Sequence, residues 1–283
     1  MQITIRTMQP SDLDFAAACT AGEGWISETR QVFDGFYAHD ANGCFIAQAG
    51  DAHVGICVAT CYGTAGFIGE LIVVPEMRHR GIGRQLMEHA TDYLQRRGAQ
   101  GIYLDGVVAA VPLYERLGFR KICRSLRFSG TLPGRTHSTI RPMHHDDLDA
   151  VGQLDRTAFG ADRRFFLEQR ARQHPELCKV LVQDGDIHGF VLGRCSEGLV
   201  SAGPWVVKTD ADHPERLLES LASEAGDRTL SLGVLETNKP AAAIIRSLGF
   251  SERADPPWRM VHGAAGQLGA GPMCYAIGSP AKG

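Results

Sequence analysis

The chain has 283 residues, 44% of them hydrophobic and 22% charged, the profile of an ordinary folded protein and not of a disordered chain, a collagen or a coiled-coil fibre. At roughly 150 residues per domain, this length suggests about two domains, each able to bury a core. The formal net charge is −3, and the stretch up to Gly130 holds 12 basic and 13 acidic residues. Neither half is basic, so broad binding to nucleic acid or to an anionic membrane has no electrostatic footprint.

Taken in chain order, the start has no basic region followed by an apolar stretch, so no secretory signal is expected. No apolar run approaches the roughly 18 residues of a membrane helix. Residues 3–7 read as a strand. Residues 11–21 read as a helix with Ser11 as N-cap and Asp14 three residues on. Residues 43–48 and 54–62 read as strands joined at Gly50-Asp51, and 67–74 as a strand ended by Pro75. Over 83–97 the apolar residues Leu86, Met87, Ala90, Tyr93 and Leu94 recur at helical spacing, and Gly98 ends the helix. A strand over 101–105, a helix through 113–116 and a strand from Phe119 follow. The resulting order, β-α-(α)-β-β-β-α-β-α-β, is a mixed-sheet α/β fold of the α+β kind and not an alternating doubly wound one.

The second half repeats the first. Thr4-Ile5-Arg6-Thr7-Met8 with Asp12-Leu13-Asp14 returns as Thr139-Ile140-Arg141-Pro142-Met143 with Asp147-Leu148-Asp149. Arg116-Leu117-Gly118-Phe119 is echoed by Ser247-Leu248-Gly249-Phe250. A period this long means duplicated domains and not a solenoid. The expected domains are 1–130 and 136–283, with the boundary in the polar stretch 129–138. Eight cysteines with no Cys-x-x-Cys pair suggest buried, reduced thiols and a cytoplasmic protein.

The segment Leu71-Ile-Val-Val-Pro-Glu-Met-Arg78-His-Arg80-Gly81-Ile-Gly83-Arg84 carries the chemistry. A strand runs into a turn with two glycines, and a helix begins beyond it. The first amides of a helix lack intrahelical partners, and the macrodipole adds positive potential, so the turn suits a phosphate or pyrophosphate. Gly81 and Gly83 permit close backbone approach, while Arg78, Arg80 and Arg84 add mobile positive charge. The spacing is neither a Walker A loop nor Gly-x-Gly-x-x-Gly.

This stretch closely resembles the acetyl-CoA-binding motif of the GNAT superfamily of N-acetyltransferases. Val73, Pro75, Glu76, Arg78, Arg80, Gly81, Gly83 and Leu86 fall in register with it, while Met77 and His79 are mild departures. Downstream, Pro112-Leu-Tyr114-Glu-Arg-Leu-Gly118-Phe119 is similar to a second element of that family. The resemblance covers about residues 1–128 and extends more weakly to the second half. It implies two tandem GNAT-like acyl-CoA N-acyltransferase domains.

The resemblance also implies a site. Acetyl-CoA would lie where the strand 71–74 splays from 102–105. Backbone groups of Ile72, Val73 and Val74 would hold the pantetheine arm and thioester. The loop of Arg78, His79, Arg80, Gly81, Ile82, Gly83 and Arg84 would hold the pyrophosphate. A primary amine of a small molecule would attack the thioester directly, and Tyr114 would protonate the leaving thiolate. Glu70 is the best candidate general base, because desolvation in an apolar strand would raise its pKa; Asp105 is weaker. Trp25, Phe33, Phe36 and Tyr37 follow the first helix, a segment that lines the acceptor site in this superfamily; Trp205 and Trp258 are candidates to add to it.

In the second half, the partner of Glu70 is Gly203 and that of Tyr114 is Ile245. The phosphate loop is replaced by Thr209-Asp210-Ala-Asp212-His-Pro214-Glu215, which has no glycine and carries three acids. This domain is therefore expected to be non-catalytic and to complete or cover the amine pocket. The tail from Trp258 to Ile277 resembles the end of bacterial tandem proteins of this kind, with a final strand inserted into a sheet. His144-His145-Asp146-Asp147 has the wrong spacing for a metal site, and no metal is expected. The expected partner is a small-molecule amine, with no nucleic acid and no membrane, and the protein is expected as a monomer or homodimer. Two other functions fit the motifs: a non-enzymatic acyl-CoA-binding or regulatory module, and a peptide or protein N-acetyltransferase.

Overall fold

A computed structural model describes residues 2–266 and 268–283. Two units emerge from it. The first comprises residues 2–122, to which Met260–Gly266 and Lys282 are added from the far end of the chain. The second comprises Cys123–Arg259, residues 268–281 and Gly283. Cys123–Gly130 thus lies in the second unit, whereas the repeat pattern alone assigns it to the first domain.

The first unit opens with β1 (Ile3–Thr7), α1 (Leu13–Gly22), α2 (Arg30–Asp40), β2 (Cys44–Ala49), β3 (Ala52–Tyr62) and β4 (Ala65–Val73). It continues with α3 (Ile82–Arg96), β5 (Gly101–Gly106) and α4 (Val111–Arg116). The order is the one the hydrophobic periodicity predicts. The expected N-cap at Ser11 is not used. A single 3-10 turn, Pro10–Asp12, precedes α1, and Asp12 accepts the Gln9 amide at 2.7 Å and the Arg6 guanidinium at 2.6 and 3.1 Å. A carboxylate held by a fork of donors outcompetes the serine hydroxyl.

The sheet runs β1-β2-β3-β4-β5, and Met260–Gly263 lies beside β5. β1 to β4 pair antiparallel, while β4 and β5 are parallel. α3 covers β3 and β4, burying Leu86, Met87, Ala90 and Leu94 at the predicted spacing. Two glycines set how close it comes. A Cβ on Gly66 would stand 2.8 Å from Leu94 Cδ1, and one on Gly55 would stand 3.2 Å from Leu86 Cδ1.

The second unit takes up β6 (Arg120–Gly130) from Cys123 onward, followed by β7 (Ile140–Pro142), α5 (Leu148–Phe159), α6 (Arg164–Gln173), β8 (Cys178–Gln183), β9 (Asp186–Ser196) and β10 (Leu199–Val207). Then come α7 (Glu215–Ala225), β11 (Thr229–Leu235), α8 (Lys239–Ser247), β12 (Ser251–Glu252) and β14 (Cys274–Ala276), while β13 (Trp258–Gly263) leaves the unit after Arg259. Within this unit the sheet runs β6-β11-β10-β9-β8-β7, and β14 pairs with β10. The repeat is visible atom by atom: Arg141 grips Asp147 at 2.6 and 2.7 Å, and Asp147 accepts the His144 amide at 2.7 Å. The sequence cluster His144–Asp147 is thus the counterpart of the turn before α1. All eight cysteines are free thiols, and Cys44, Cys57, Cys123, Cys178 and Cys274 are buried.

Candidate active site

The site begins with a failure of pairing. β4 and β5 pair only at Ala65↔Gly101, Gly66↔Ile102 and Phe67↔Tyr103. Beyond Tyr103 the two strands part. Ile102 and Tyr103, expected on the open side, are still in the ladder. The cause is local: β3 and β4 register at Ile56↔Ile72 and again at Val58↔Gly69, so Glu70 and Leu71 together oppose Cys57. One extra residue makes a bulge, which bends the strand and re-aims its groups. Glu70 sits in it at φ 52°, a region that non-glycine residues enter at a cost of order 1–3 kcal/mol.

Past the bulge, the Val74 amide donates to Val54 on the β3 side at 3.0 Å. Backbone groups alternate along a strand, so those of Val73 face the gap. The Val73 carbonyl accepts Arg78 Nε at 2.9 Å, and Arg78 also pairs with Glu23. Arg78 is therefore anchored and not mobile. Arg84 is likewise paired, with Glu88 at 2.8 Å. Arg80 is exposed and forms no hydrogen bond or ion pair among the described residues.

The turn itself is made by two left-handed residues, His79 at φ 62° and Gly81 at φ 82°. They turn the chain directly into α3, whose first amides have no acceptor one turn back. A Cβ on Gly83 would meet Leu113 Cδ2 at 3.6 Å and Val73 Cγ2 at 3.7 Å, ordinary contact distances. Ile82 points inward and is 1% exposed, so its part in the loop is backbone and packing. The residues fit a diphosphate with a peptide-like arm: orphan amides at the loop, and unladdered strand groups beside it.

Glu70 is 4% exposed and Tyr114 7% exposed, so both candidate proton-transfer groups are buried. Burial pushes the Tyr114 hydroxyl above its usual range, and nearby Cys57 adds to the effect. Burial also raises the Cys57 thiol, with Glu70 the next cause. Cys57, opposite the bulge, is thus within charge-interaction range of both. A Cβ on Gly106 would fall 2.7 Å from Tyr114 Cε2, so the missing side chain leaves room for the ring. Asp105, the weaker candidate base, lies on β5 beyond the last residue paired with β4.

The aromatic candidates separate. Phe33 and Phe36 are 0% and 2% exposed and belong to the core of the first unit. Trp25 and Tyr37 are half-buried. Thr20 fastens the loop that carries Trp25: its carbonyl accepts the Trp25 amide at 2.9 Å, and its hydroxyl donates to the Glu28 carbonyl at 2.6 Å. Trp205 is fully buried in the second unit with its ring 5.0 Å from Tyr275, and Trp258 lies under the Arg124 guanidinium at 3.9 Å. Neither Thr20, Cys57 nor Gly106 stood out in the sequence. A glycine ending a strand just after an acid was the one local signal, for Gly106.

Two family profiles match the chain: the acetyltransferase (GNAT) family over residues 12–119 and an acetyltransferase (GNAT) domain over residues 151–270. Among curated proteins, N-alpha-acetyltransferase 30 of Schizosaccharomyces pombe is 38% identical over 92 residues, 30% of this chain and 61% of that protein. The ribosomal protein bS18-alanine N-acetyltransferase of Escherichia coli is 34% identical over 73 residues, 25% and 49% respectively. Streptothricin acetyltransferase of Streptomyces lavendulae is 33% identical over 93 residues, 30% and 49%. The match thus spans about half to three-fifths of each relative. In fold, the chain is similar to a candidate acetyltransferase from Pyrococcus horikoshii, with TM-score 0.82, 23% identity, and 99% and 96% of the two chains covered. It is also similar to a tandem GNAT protein from the clavulanic acid biosynthesis pathway, with TM-score 0.65, 16% identity, and 94% and 99% covered.

Proposed function

The chain belongs to the GNAT superfamily, with two domains of that family in tandem, and on that premise we propose that its first domain is an acetyl-CoA-dependent N-acetyltransferase acting on a primary amine of a small molecule. The observation that carries this reading is the parting of β4 from β5 beside an orphan-amide turn, with Glu70 buried in the bulge of β4 and Tyr114 buried against Gly106 of β5.

Acetyl-CoA supplies an activated acetyl thioester. The amides that follow Arg78 hold its diphosphate, and Arg80 adds the one unpaired cation of the loop. Of the three strand residues expected to hold the arm, Val73 presents its backbone groups at the open edge and aligns it, whereas those of Ile72 and Val74 turn toward β3. Glu70 takes the proton from the incoming ammonium, directly or through a water, and frees the nitrogen lone pair. The C–N bond forms as the C–S bond breaks, and no covalent bond to the protein is needed. Tyr114 gives its proton to the departing thiolate. Its raised pKa keeps it protonated, and so able to donate, throughout the neutral range.

A second acceptor class, peptide or protein amines, is favoured by one finding: the S. pombe relative is named an N-alpha-acetyltransferase and the E. coli relative a ribosomal protein bS18-alanine N-acetyltransferase. The chemistry at the thioester is the same for both acceptors. The test is thiol release from acetyl-CoA in the presence of a small-amine panel and, separately, of short peptides with free N-termini, with product masses recorded. Turnover of small amines supports the reading. Turnover of peptides alone replaces the acceptor, and absence of acetyl-CoA binding overturns the activity.

A further inference from the structure

The second unit repeats the strand separation of the first. β10 and β11 pair at Leu199↔Thr229, Val200↔Leu230 and Ser201↔Ser231 and then part. The same bulge stands beside the opening: β9 and β10 register at Gly193↔Ala202 and next at Val191↔Trp205, so two residues oppose Leu192. In this unit, however, the opening is filled. β14 runs antiparallel along β10, with Trp205 opposite Ala276 and Val206 opposite Cys274. The Val207 amide donates to Met273 at 2.9 Å. On the far side, the Ile277 amide donates to Gly233 of β11 at 2.9 Å.

The inserted segment is fastened by a buried side chain. Asn238, 3% exposed, caps α8 by accepting the Ala241 amide at 3.1 Å. Its Nδ2 donates to the Pro272 and Cys274 carbonyls, each at 2.9 Å. A Cβ on Gly203, the residue aligned with Glu70, would stand 2.1 Å from the Ile277 carbonyl oxygen. Cys274, Ala276 and Ile277 are 4%, 1% and 6% exposed.

We propose that the opening between β10 and β11 is a cleft for an extended peptide, and that its occupant is residues 272–277 of the same chain. Strand addition satisfies backbone donors and acceptors on both edges, the physics by which sheets take up peptides. The arm of acetyl-CoA is itself a chain of amides, and in the first unit the equivalent strand edge is the one assigned to it. That parallel rests on the proposed function, whereas the seating of the peptide does not. A tethered occupant has a high effective concentration, so free acetyl-CoA does not displace it. The second unit is thereby closed to the cosubstrate by its own tail, in addition to lacking the phosphate turn. The chain holds one acetyl-CoA.

The experiment is hydrogen exchange on the full chain with and without acetyl-CoA, alongside calorimetry. The Val207 and Ile277 amides should exchange as slowly as the β9–β10 ladder, unchanged by saturating acetyl-CoA, with a stoichiometry of one. Asn238→Asp keeps the helix cap and loses both donors to the tail. It should speed exchange over 272–277 at least tenfold, leave the β9–β10 ladder protected, and leave acetyl-CoA affinity unchanged. Loop-like exchange of 272–277 in the wild type, an unaltered rate there in Asn238→Asp, or two acetyl-CoA per chain each overturn the inference. If no acetyl-CoA binds while 272–277 stays protected, the proposed activity falls and the peptide cleft stands.

Discussion

Tyr114 lies over Gly106, and any Cβ on that glycine would sit 2.7 Å from Cε2 of the ring. The position of the candidate acid is therefore set by an absent side chain on the neighbouring strand. Gly106→Ala should push the ring aside without touching its chemistry. Because small misplacements of reacting groups are costly, turnover should fall about tenfold or more. Acetyl-CoA affinity, set at the β4 edge and the loop, should change little. Steady-state kinetics beside calorimetry separates the two, and a variant with wild-type turnover removes Tyr114 from the mechanism.

Tyr114→Phe removes the proton and keeps the ring. Turnover should drop by about 100-fold, within the usual range for a general acid, with acetyl-CoA binding preserved. Burial and nearby Cys57 hold the hydroxyl protonated above its usual range. The wild-type rate should therefore not decline between about pH 8 and pH 10 through loss of this proton. A decline near pH 10 that disappears in Tyr114→Phe contradicts this assignment.

At Gly83 the distances predict a contrast. A methyl group there makes ordinary contacts, 3.6 Å to Leu113 and 3.7 Å to Val73, so Gly83→Ala should keep most of the acetyl-CoA affinity. Gly83→Asp adds a carboxylate beside the expected diphosphate and should weaken binding about 100-fold or more, a few kcal/mol of charge repulsion. Equal affinity in the two variants places the diphosphate elsewhere.

Asp12 predicts a pH dependence of stability. The Arg6 guanidinium holds its carboxyl below the ordinary carboxylate range, desolvation opposes this, and the Gln9 amide assists. A depressed folded pKa gives stability that is fully present above the unfolded value, about 3.9, and is lost as pH falls through the folded one. Asp12→Asn should cost about 1.5–3 kcal/mol at pH 7, the range for hydrogen bonds to a charged group. Denaturant unfolding should show that difference shrinking below about pH 4. A cost that is the same at pH 7 and pH 3 assigns it to packing instead.

The element order, the duplication and the turn from Arg78 to Arg84 are legible in the amino-acid string alone. Each is written in local terms: periodicity, a repeated string, and glycines between a strand and a helix. The repeated string pairs Arg6 with Arg141 by alignment alone. What lay beyond the sequence was any property set by a neighbour distant in the chain. Glu70 is an ordinary strand residue until β3 falls one residue short of β4 beside it and forces it to φ 52°. Arg78 reads as free charge until the Val73 carbonyl and Glu23 claim it. Phe33 reads as pocket lining, yet the core takes it. The occupant of the second cleft comes from about 70 residues downstream of the strand it joins, and no local pattern specifies where a free strand will find an open edge. Those matters are settled only in three dimensions, because register, burial and strand partnership are energies of pairs, and a sequence lists only their members.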